Sequence, residues 1–133
     1  MYYVNDIPPA KLGIISTFVQ RFACGMPQMD PIMDALAHLL RQVHNYFEPL
    51  IADAILISTL NYMMGYLTVR ELCSHTRIPG LKRFPRFLRD LTGASSVYIN
   101  FLFPKSTGVQ ASQYLQALPD MAYWGDATND ILS

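Results

Sequence analysis

The feature that most constrains the fold is a long apolar segment, Leu50 to Leu72, near the middle of the chain. Its apolar side chains occupy nearly every side of a helical wheel, and such a helix is either central to a larger bundle or lies in a membrane. A membrane span needs roughly 17–25 apolar residues, whereas the longest uncharged run covers residues 54–69 and includes Ser58, Thr59 and Asn61. The pattern therefore favours a buried core helix and leaves a membrane span as the alternative.

Helix signals recur on both sides of this segment. Asp30 followed by Pro31 is a typical helix start, and apolar residues then recur at spacings of three and four as far as Phe47. Pro119 is expected to kink the last helix, or to restart it at the preceding residue. No stretch alternates long enough to predict a strand, so the fold class is all-α. The other predicted helices are Leu12–Ala23, Phe84–Leu91, Ala94–Leu102 and a helix from Val109 to the C-terminus.

The N-terminal segment, residues 1–13, is predicted to be irregular because it carries Pro8, Pro9 and Gly13. It has no positively charged region followed by an apolar core, so it does not resemble a signal peptide. The two cysteines, Cys24 and Cys73, are too few for a disulfide framework and indicate free or buried thiols in a reducing compartment. We therefore expect a single domain over residues 1–133 and a cytoplasmic location.

Charge is scarce in this chain. Charged residues make up 15% and hydrophobic residues 51%, with a net charge of zero, whereas soluble proteins average about 25% charged residues. This composition excludes a disordered chain and argues against a dedicated nucleic-acid binder. A small domain should need more charge to cover its surface. The apolar excess therefore indicates a membrane segment, an obligate partner, or a piece of a larger domain.

The positive charge is concentrated in one place. Five of the ten basic residues lie within residues 77–89. On a helical wheel Lys82, Arg86 and Arg89 share one face, opposite apolar side chains. Such a face is either simply solvated or an anion site, for which arginine is suited because it can bind phosphate oxygens in a bidentate manner. The five basic residues are Arg77, Lys82, Arg83, Arg86 and Arg89.

Other features remain open between a structural and a functional interpretation. Gly93 follows Arg89 by one helical turn, and it either caps a helix or leaves backbone carbonyls directed into a cavity. Asn129 and Ser133 stack on one helical face. Their oxygens suit Mg²⁺, although a frayed polar terminus gives the same pattern. The three histidines show no metal-ligand spacing. An aromatic stripe is either core or the lining of a cation-stabilising cavity; it comprises Tyr62, Met63, Tyr66 and Trp124.

Taken in order, several short motifs carry a resemblance to a known family. Their order and spacing resemble class I sesquiterpene cyclases of the trichodiene synthase family, found mainly in fungi. The similarity is strongest over residues 47–105 and implies the central helices of a helical barrel. The motifs are Ile57-Ser58-Thr59-Leu60-Asn61-Tyr62-Met63-Met64-Gly65, Pro79-Gly80, Phe87-Leu88-Arg89, Thr92-Gly93, Pro104-Lys105 and Asn129-Asp130-Ile131-Leu132-Ser133.

The resemblance implies a chemistry and a set of site residues. In that family Mg²⁺ and basic residues bind the diphosphate of farnesyl diphosphate, and the allylic cation formed on ionisation is cyclised inside the barrel. Arg89 matches the diphosphate-sensing arginine, and Gly93 matches the effector glycine at a helix break. Thr92 falls at the linker position, where the family more often has Asn or Asp. Asn129 and Ser133 match two of the three ligands of one Mg²⁺.

The chain also departs from the family pattern. The third metal ligand, a glutamate, would follow Ser133 by four residues, and only Asn5-Asp6 stands near the place of the aspartate-rich motif. Pro119 interrupts a helix that the family keeps continuous. The resemblance therefore implies a partial cyclase, inactive as the isolated chain. The alternatives are a degenerate all-α binding protein and a small membrane protein with a span near residues 50–72. The oligomeric state is open.

Overall fold

The computed structural model describes residues 9–73, 80–92 and 95–132, with the backbone alone at residues 9–11, 73, 130 and 132. No strand occurs within these ranges, so the all-α prediction is confirmed for the part of the chain that they cover. The α-helices are α1 (Pro9–Ala23), α2 (Pro31–Tyr46), α3 (Pro49–Cys73), α4 (Phe84–Thr92), α5 (Ser95–Asn100), α6 (Ala111–Tyr114) and α7 (Leu118–Leu132), with 3₁₀ turns at Lys105–Thr107 and Leu115–Ala117.

Helix α3 is the long apolar segment, and with 25 residues it is the longest helix of the described chain. It starts at Pro49, a residue that a first helical turn tolerates because it has no N–H to leave unpaired. Within the described ranges, Pro49–Leu72 alone is long and apolar enough to cross a membrane, and the core helix of a soluble protein passes the same test. Ile51 and Ile55 are fully buried, whereas Ile57 is 57% exposed. One side of α3 therefore packs within the protein.

Helix α1 starts earlier than the sequence predicts. The expectation of an irregular segment over residues 1–13 is wrong for residues 9–13, since α1 begins at Pro9; residues 1–8 lie outside the described chain. Gly13 lies inside the helix without breaking it. The helix ends at Ala23, and Gly25, whose φ is 66°, lets the amide of Met26 donate to the carbonyl of Arg21 at 2.8 Å.

The start of α2 confirms the predicted cap. The Asp30 Oδ1 atom accepts hydrogen bonds from the amides of Ile32 at 2.9 Å and Met33 at 3.2 Å. These amides have no partner within the helix, so the cap stabilises it by about 1 kcal/mol. The Asp34 carboxylate reaches back to the amide of Gln28 at 2.8 Å, which fixes the chain that enters the helix.

The chain forms two compact units, residues 1–39 with 60–92 and residues 40–59 with 93–133. The first unit contains the fully buried Phe18 and Ala37 and the nearly buried Met63. The ring of Phe22 stacks on that of Phe18, with the centroids 6.1 Å apart. The expected single domain over residues 1–133 stays a prediction.

The second unit is built around aromatic pairs. Phe47 and Phe101 meet edge to face at 5.6 Å, and Phe103 stacks on Tyr114 at 4.0 Å. Such contacts are worth about 0.5–1.5 kcal/mol each beyond the area that they bury. Burial raises the pKa of Tyr114, and the nearby carboxylate of Glu48 raises that pKa further.

Two long-range hydrogen bonds close the second unit. The Nζ of Lys105 donates to the carbonyl oxygen of His44 at 2.8 Å, and the amide of Ala111 donates to Oε1 of Glu48 at 3.2 Å. Lys105 thus connects the segment that follows α5 to the C-terminal end of α2. The motif lysine therefore has a structural contact of its own.

The C-terminal region is three elements rather than one helix from Val109. Helix α6 begins at Ala111, a 3₁₀ turn follows, and α7 begins at Leu118, directly before Pro119. The restart at the residue before the proline is confirmed. Its cause is local, because proline has no amide hydrogen and its ring clashes with the carbonyl four residues earlier. Helix α5, Ser95–Asn100, ends two residues before the predicted Leu102, and Ala94 lies outside the described residues.

Candidate functional site

Helix α4 carries Arg86 and Arg89, two of the five clustered basic residues, and lies at the surface of the first unit. None of its nine residues is buried. It follows a turn at Gly80, whose φ is 90°, and the amide of Lys82 donates to the Gly80 carbonyl at 2.9 Å. Lys82 therefore precedes the helix. The prediction that Lys82 shares a helical face with Arg86 and Arg89 is wrong. Arg77 lies outside the described residues.

Arg86 is engaged in a solvated ion pair. Its Nε lies 2.9 Å from Oδ1 of Asp90, one turn further along α4, with the two side chains 72% and 57% exposed. Exposed pairs at this spacing contribute only about 0.3–0.5 kcal/mol, because water screens both charges. Arg86 fits the interpretation of a solvated face.

Arg89 has a different environment from the other described basic residues of the segment. Lys82, Arg83 and Arg86 are exposed, whereas Arg89 is half-buried and its Nε has less than 1 Å² of accessible surface. The residue also takes part in an interaction within the chain. Partial burial strengthens the interaction of a guanidinium with an anion, since the local dielectric is lower than in water. The structure thus distinguishes one arginine from the cluster.

The last turn of α4 is tied together by Thr92. The Thr92 hydroxyl donates to the carbonyl of Leu88 at 2.8 Å, and both residues are half-buried. Because Thr92 lies three residues after Arg89, the two share a face of the helix. Gly93 lies outside the described residues, so its role at a helix break stays a prediction.

A close approach between α3 and α4 occurs at Gly65. A Cβ at this position would lie 2.9 Å from the Cβ of Leu91, 3.0 Å from its carbonyl carbon and 3.0 Å from Cγ2 of Thr92. Sequence reasoning missed this contact. Its only signal is a glycine inside an otherwise apolar helix, which often marks close backbone approach.

The residues of the aromatic stripe differ in burial. Met63 belongs to the core, whereas Tyr62 is 40% exposed. Tyr66 is half-buried, and its hydroxyl is buried with no hydrogen-bond partner among the described residues. Trp124 belongs to the second unit and is 70% exposed. The three α3 residues therefore differ in environment from one another.

The described residues do not form a metal site by themselves. Asn129 is exposed on α7, and Ser133 lies outside the described chain. Within the described ranges no group of three or more His, Cys, Asp or Glu side chains is placed to hold a metal. One neutral amide oxygen does not displace enough of the water shell of Mg²⁺. His44 pairs instead with Asp53 at 2.8 Å, and Cys24 is exposed and free.

Comparison with known proteins shows which family the sequence of this chain resembles. The sequence pattern of the trichodiene synthase (TRI5) family matches residues 5–133. Terpene synthase BipA of Cochliobolus sativus is 32% identical over 133 residues, which is 98% of this chain and 41% of the relative. Alpha-cuprenene synthase COP6 of Coprinopsis cinerea is 27% identical, over 98% of this chain and 40% of the relative.

A third relative, (E)-beta farnesene synthase of Metarhizium brunneum, is 28% identical over 98% of this chain and 40% of its own length. The chain thus spans about two fifths of the length of the relatives it matches. The helical fold and the ordered motifs agree with this similarity, and the family pattern covers nearly all residues. The chain therefore belongs to the trichodiene synthase family of terpene synthases.

Proposed function

We propose that this chain carries the diphosphate-facing helices of a sesquiterpene synthase, which ionises farnesyl diphosphate, cyclises the allylic cation and releases diphosphate. Family membership supports a prenyl diphosphate substrate. The observation that carries the proposal is the partial burial of Arg89 at the last turn of α4, beside exposed basic residues that raise the local potential.

The role of Arg89 follows from charge and geometry. Departure of diphosphate places negative charge on the leaving oxygens, and a half-buried guanidinium stabilises that charge more strongly than an exposed one. Thr92, on the same face, holds the last turn through its bond to Leu88. Gly93 would supply the carbonyl at the helix break. Lys82 and Arg86 act only through the long-range potential.

Mg²⁺ use is part of the proposal and rests on the family resemblance. Asn129 and Ser133 are its two candidate ligands in this chain. Because neither carries charge, they need further oxygen ligands before Mg²⁺ gives up its water. We therefore expect the 133 residues alone to form no terpene from farnesyl diphosphate and Mg²⁺, and a cytoplasmic, soluble location for the whole enzyme.

The experiment compares Arg89→Ala with the matched control Arg86→Ala, one turn earlier on the same helix. Isothermal titration of the 133-residue chain with inorganic diphosphate should show a 10- to 100-fold loss of affinity for Arg89→Ala, the size of one hydrogen bond to a charged group, about 1.5–3 kcal/mol. Arg86→Ala should lose less than about threefold, because its charge is already screened. Equal losses for the two variants would contradict the assignment of Arg89.

A second arm tests catalysis in a version extended at both ends to the length of the relatives. Gas chromatography should detect a sesquiterpene from farnesyl diphosphate. Arg89→Ala should lower kcat, because it removes about 3 kcal/mol or more of transition-state stabilisation. Turnover by the 133-residue chain alone would contradict its proposed inactivity. Diphosphate binding without turnover in the extended protein would favour the non-catalytic binding protein instead.

A further inference from the structure

The contact at Gly65 is tighter than a side chain allows. The Cβ that alanine would add lies 2.9 Å from the Cβ of Leu91, a separation that real carbon atoms do not adopt, and 3.0 Å from the backbone carbon of that residue. A backbone atom cannot rotate away as a side-chain end can. The helices can meet at this distance only because residue 65 has no side chain.

Other helical glycines of the chain differ from Gly65 in this respect. At Gly13 in α1 nothing lies within 4 Å of the added Cβ, and at Gly125 in α7 the neighbours are the side-chain atoms of Ser95, at 3.1 and 3.3 Å. Gly65 is also buried, whereas Gly13 is exposed. The chain thus provides a matched control for the same substitution.

The contact at Gly65 limits how closely the last turn of α4 approaches α3. No residue of α4 is buried, so the helix is not locked by a large side chain in a core. Its last turn is held by the hydrogen bond from the Thr92 hydroxyl to the Leu88 carbonyl at 2.8 Å, and Arg89 lies between these two residues in the sequence. A displacement at Leu91 and Thr92 therefore moves Arg89 as well.

We propose that Gly65 is a positioning residue for Arg89: its missing side chain sets how closely the last turn of α4 approaches α3, and thereby where the guanidinium meets a diphosphate. The inference rests on the proposed function for its ligand, whereas the positional part stands on the packing alone. Gly65 touches no reacting atom and acts only through α4.

The positional part is tested without any ligand. The Nε–H of Arg89 is buried, so its NMR resonance is protected from rapid exchange with water. Gly65→Ala should shift this resonance and increase its exchange rate at least tenfold, while Gly13→Ala leaves both unchanged. An unchanged Arg89 resonance in folded Gly65→Ala protein would overturn the inference. If Gly65→Ala does not fold, Leu91→Ala, which adds no atom, is used to loosen the same helix end and should raise the exchange rate.

The functional part is tested with inorganic diphosphate and a double-mutant cycle. Gly65→Ala should weaken binding about tenfold, since small displacements of a positioned group have effects of this size or larger. In the Arg89→Lys background, where the bidentate guanidinium is already lost, the same change should weaken binding less than twofold. Additive losses would show that Gly65 does not act through Arg89. Absence of diphosphate binding by the unaltered chain, with the resonance shift present, would refute the proposed function and leave the positioning role supported.

Discussion

Ile55 and Ile57 provide a matched test of how α3 is packed. They are the same residue type, two positions apart on one helix, yet Ile55 is 0% and Ile57 is 57% exposed. Replacing each by alanine removes three carbon atoms. At about 0.8 kcal/mol per buried methylene group, Ile55→Ala loses about 2.4 kcal/mol, and the cavity left behind raises the expected cost to about 2–5 kcal/mol.

The control substitution should have a small effect. Ile57→Ala removes atoms that are mostly hydrated already, and alanine favours the helix by a few tenths of a kcal/mol relative to isoleucine. We therefore expect a change below about 1 kcal/mol in the free energy of unfolding. The milder Ile55→Val should cost about 0.5–1.5 kcal/mol, which keeps the comparison possible if Ile55→Ala unfolds the chain.

The measurement is urea unfolding followed by circular dichroism, in buffer without detergent, with the slope of the transition used to check that the same surface unfolds in each variant. Equal small costs at the two positions would refute the core-helix interpretation of α3. Equal large costs would indicate that Ile57 is covered as Ile55 is. A chain that folds only in detergent or lipid would favour the membrane-span alternative.

Two further predictions concern the second unit. Burial and the Glu48 carboxylate both raise the pKa of Tyr114 above 10.0, so folding stability should fall as the pH rises through and beyond the pKa of an unfolded tyrosine. Glu48→Gln should move the pKa of Tyr114 back toward that of an unfolded tyrosine, as measured by ¹³C NMR of labelled tyrosine. An unmoved pKa would refute the contribution of Glu48. Asn100 is only 6% exposed, and its Nδ2 donates to the carbonyl of Ser96 at 2.6 Å, whereas its Oδ1 has no hydrogen-bond partner among the described residues. Asn100→Leu should therefore raise the free energy of unfolding by about 1 kcal/mol, measured by urea unfolding, and a loss of stability would show that the oxygen has a partner in the folded chain.

Much of the helical layout is encoded locally and could be predicted. The cap at Asp30, the start of α3 at Pro49, one residue before the predicted Leu50, and the restart before Pro119 each depend on a few neighbouring residues, because proline and a capping carboxylate act on the backbone next to them. The helical conformation of residues 9–13 is not predicted by the sequence, since their Pro9 and Gly13 favour an irregular segment. Composition alone does not show whether such residues break a helix or are accommodated in it.

Tertiary contacts determine which side chains of α3 and α4 are buried, and the local sequence pattern does not. Helix α3 is apolar on nearly all sides, so only its neighbours determine that Ile55 is buried and Ile57 is exposed. The helical wheel places Arg86 and Arg89 on one face, yet one pairs with Asp90 in solvent and the other has a buried Nε. Periodicity gives the direction of a side chain on the helix, whereas its burial depends on which other elements pack against that side. At Gly65 the neighbours are Leu91 and Thr92 of α4, which are distant in the sequence, and this contact sets the packing of α4.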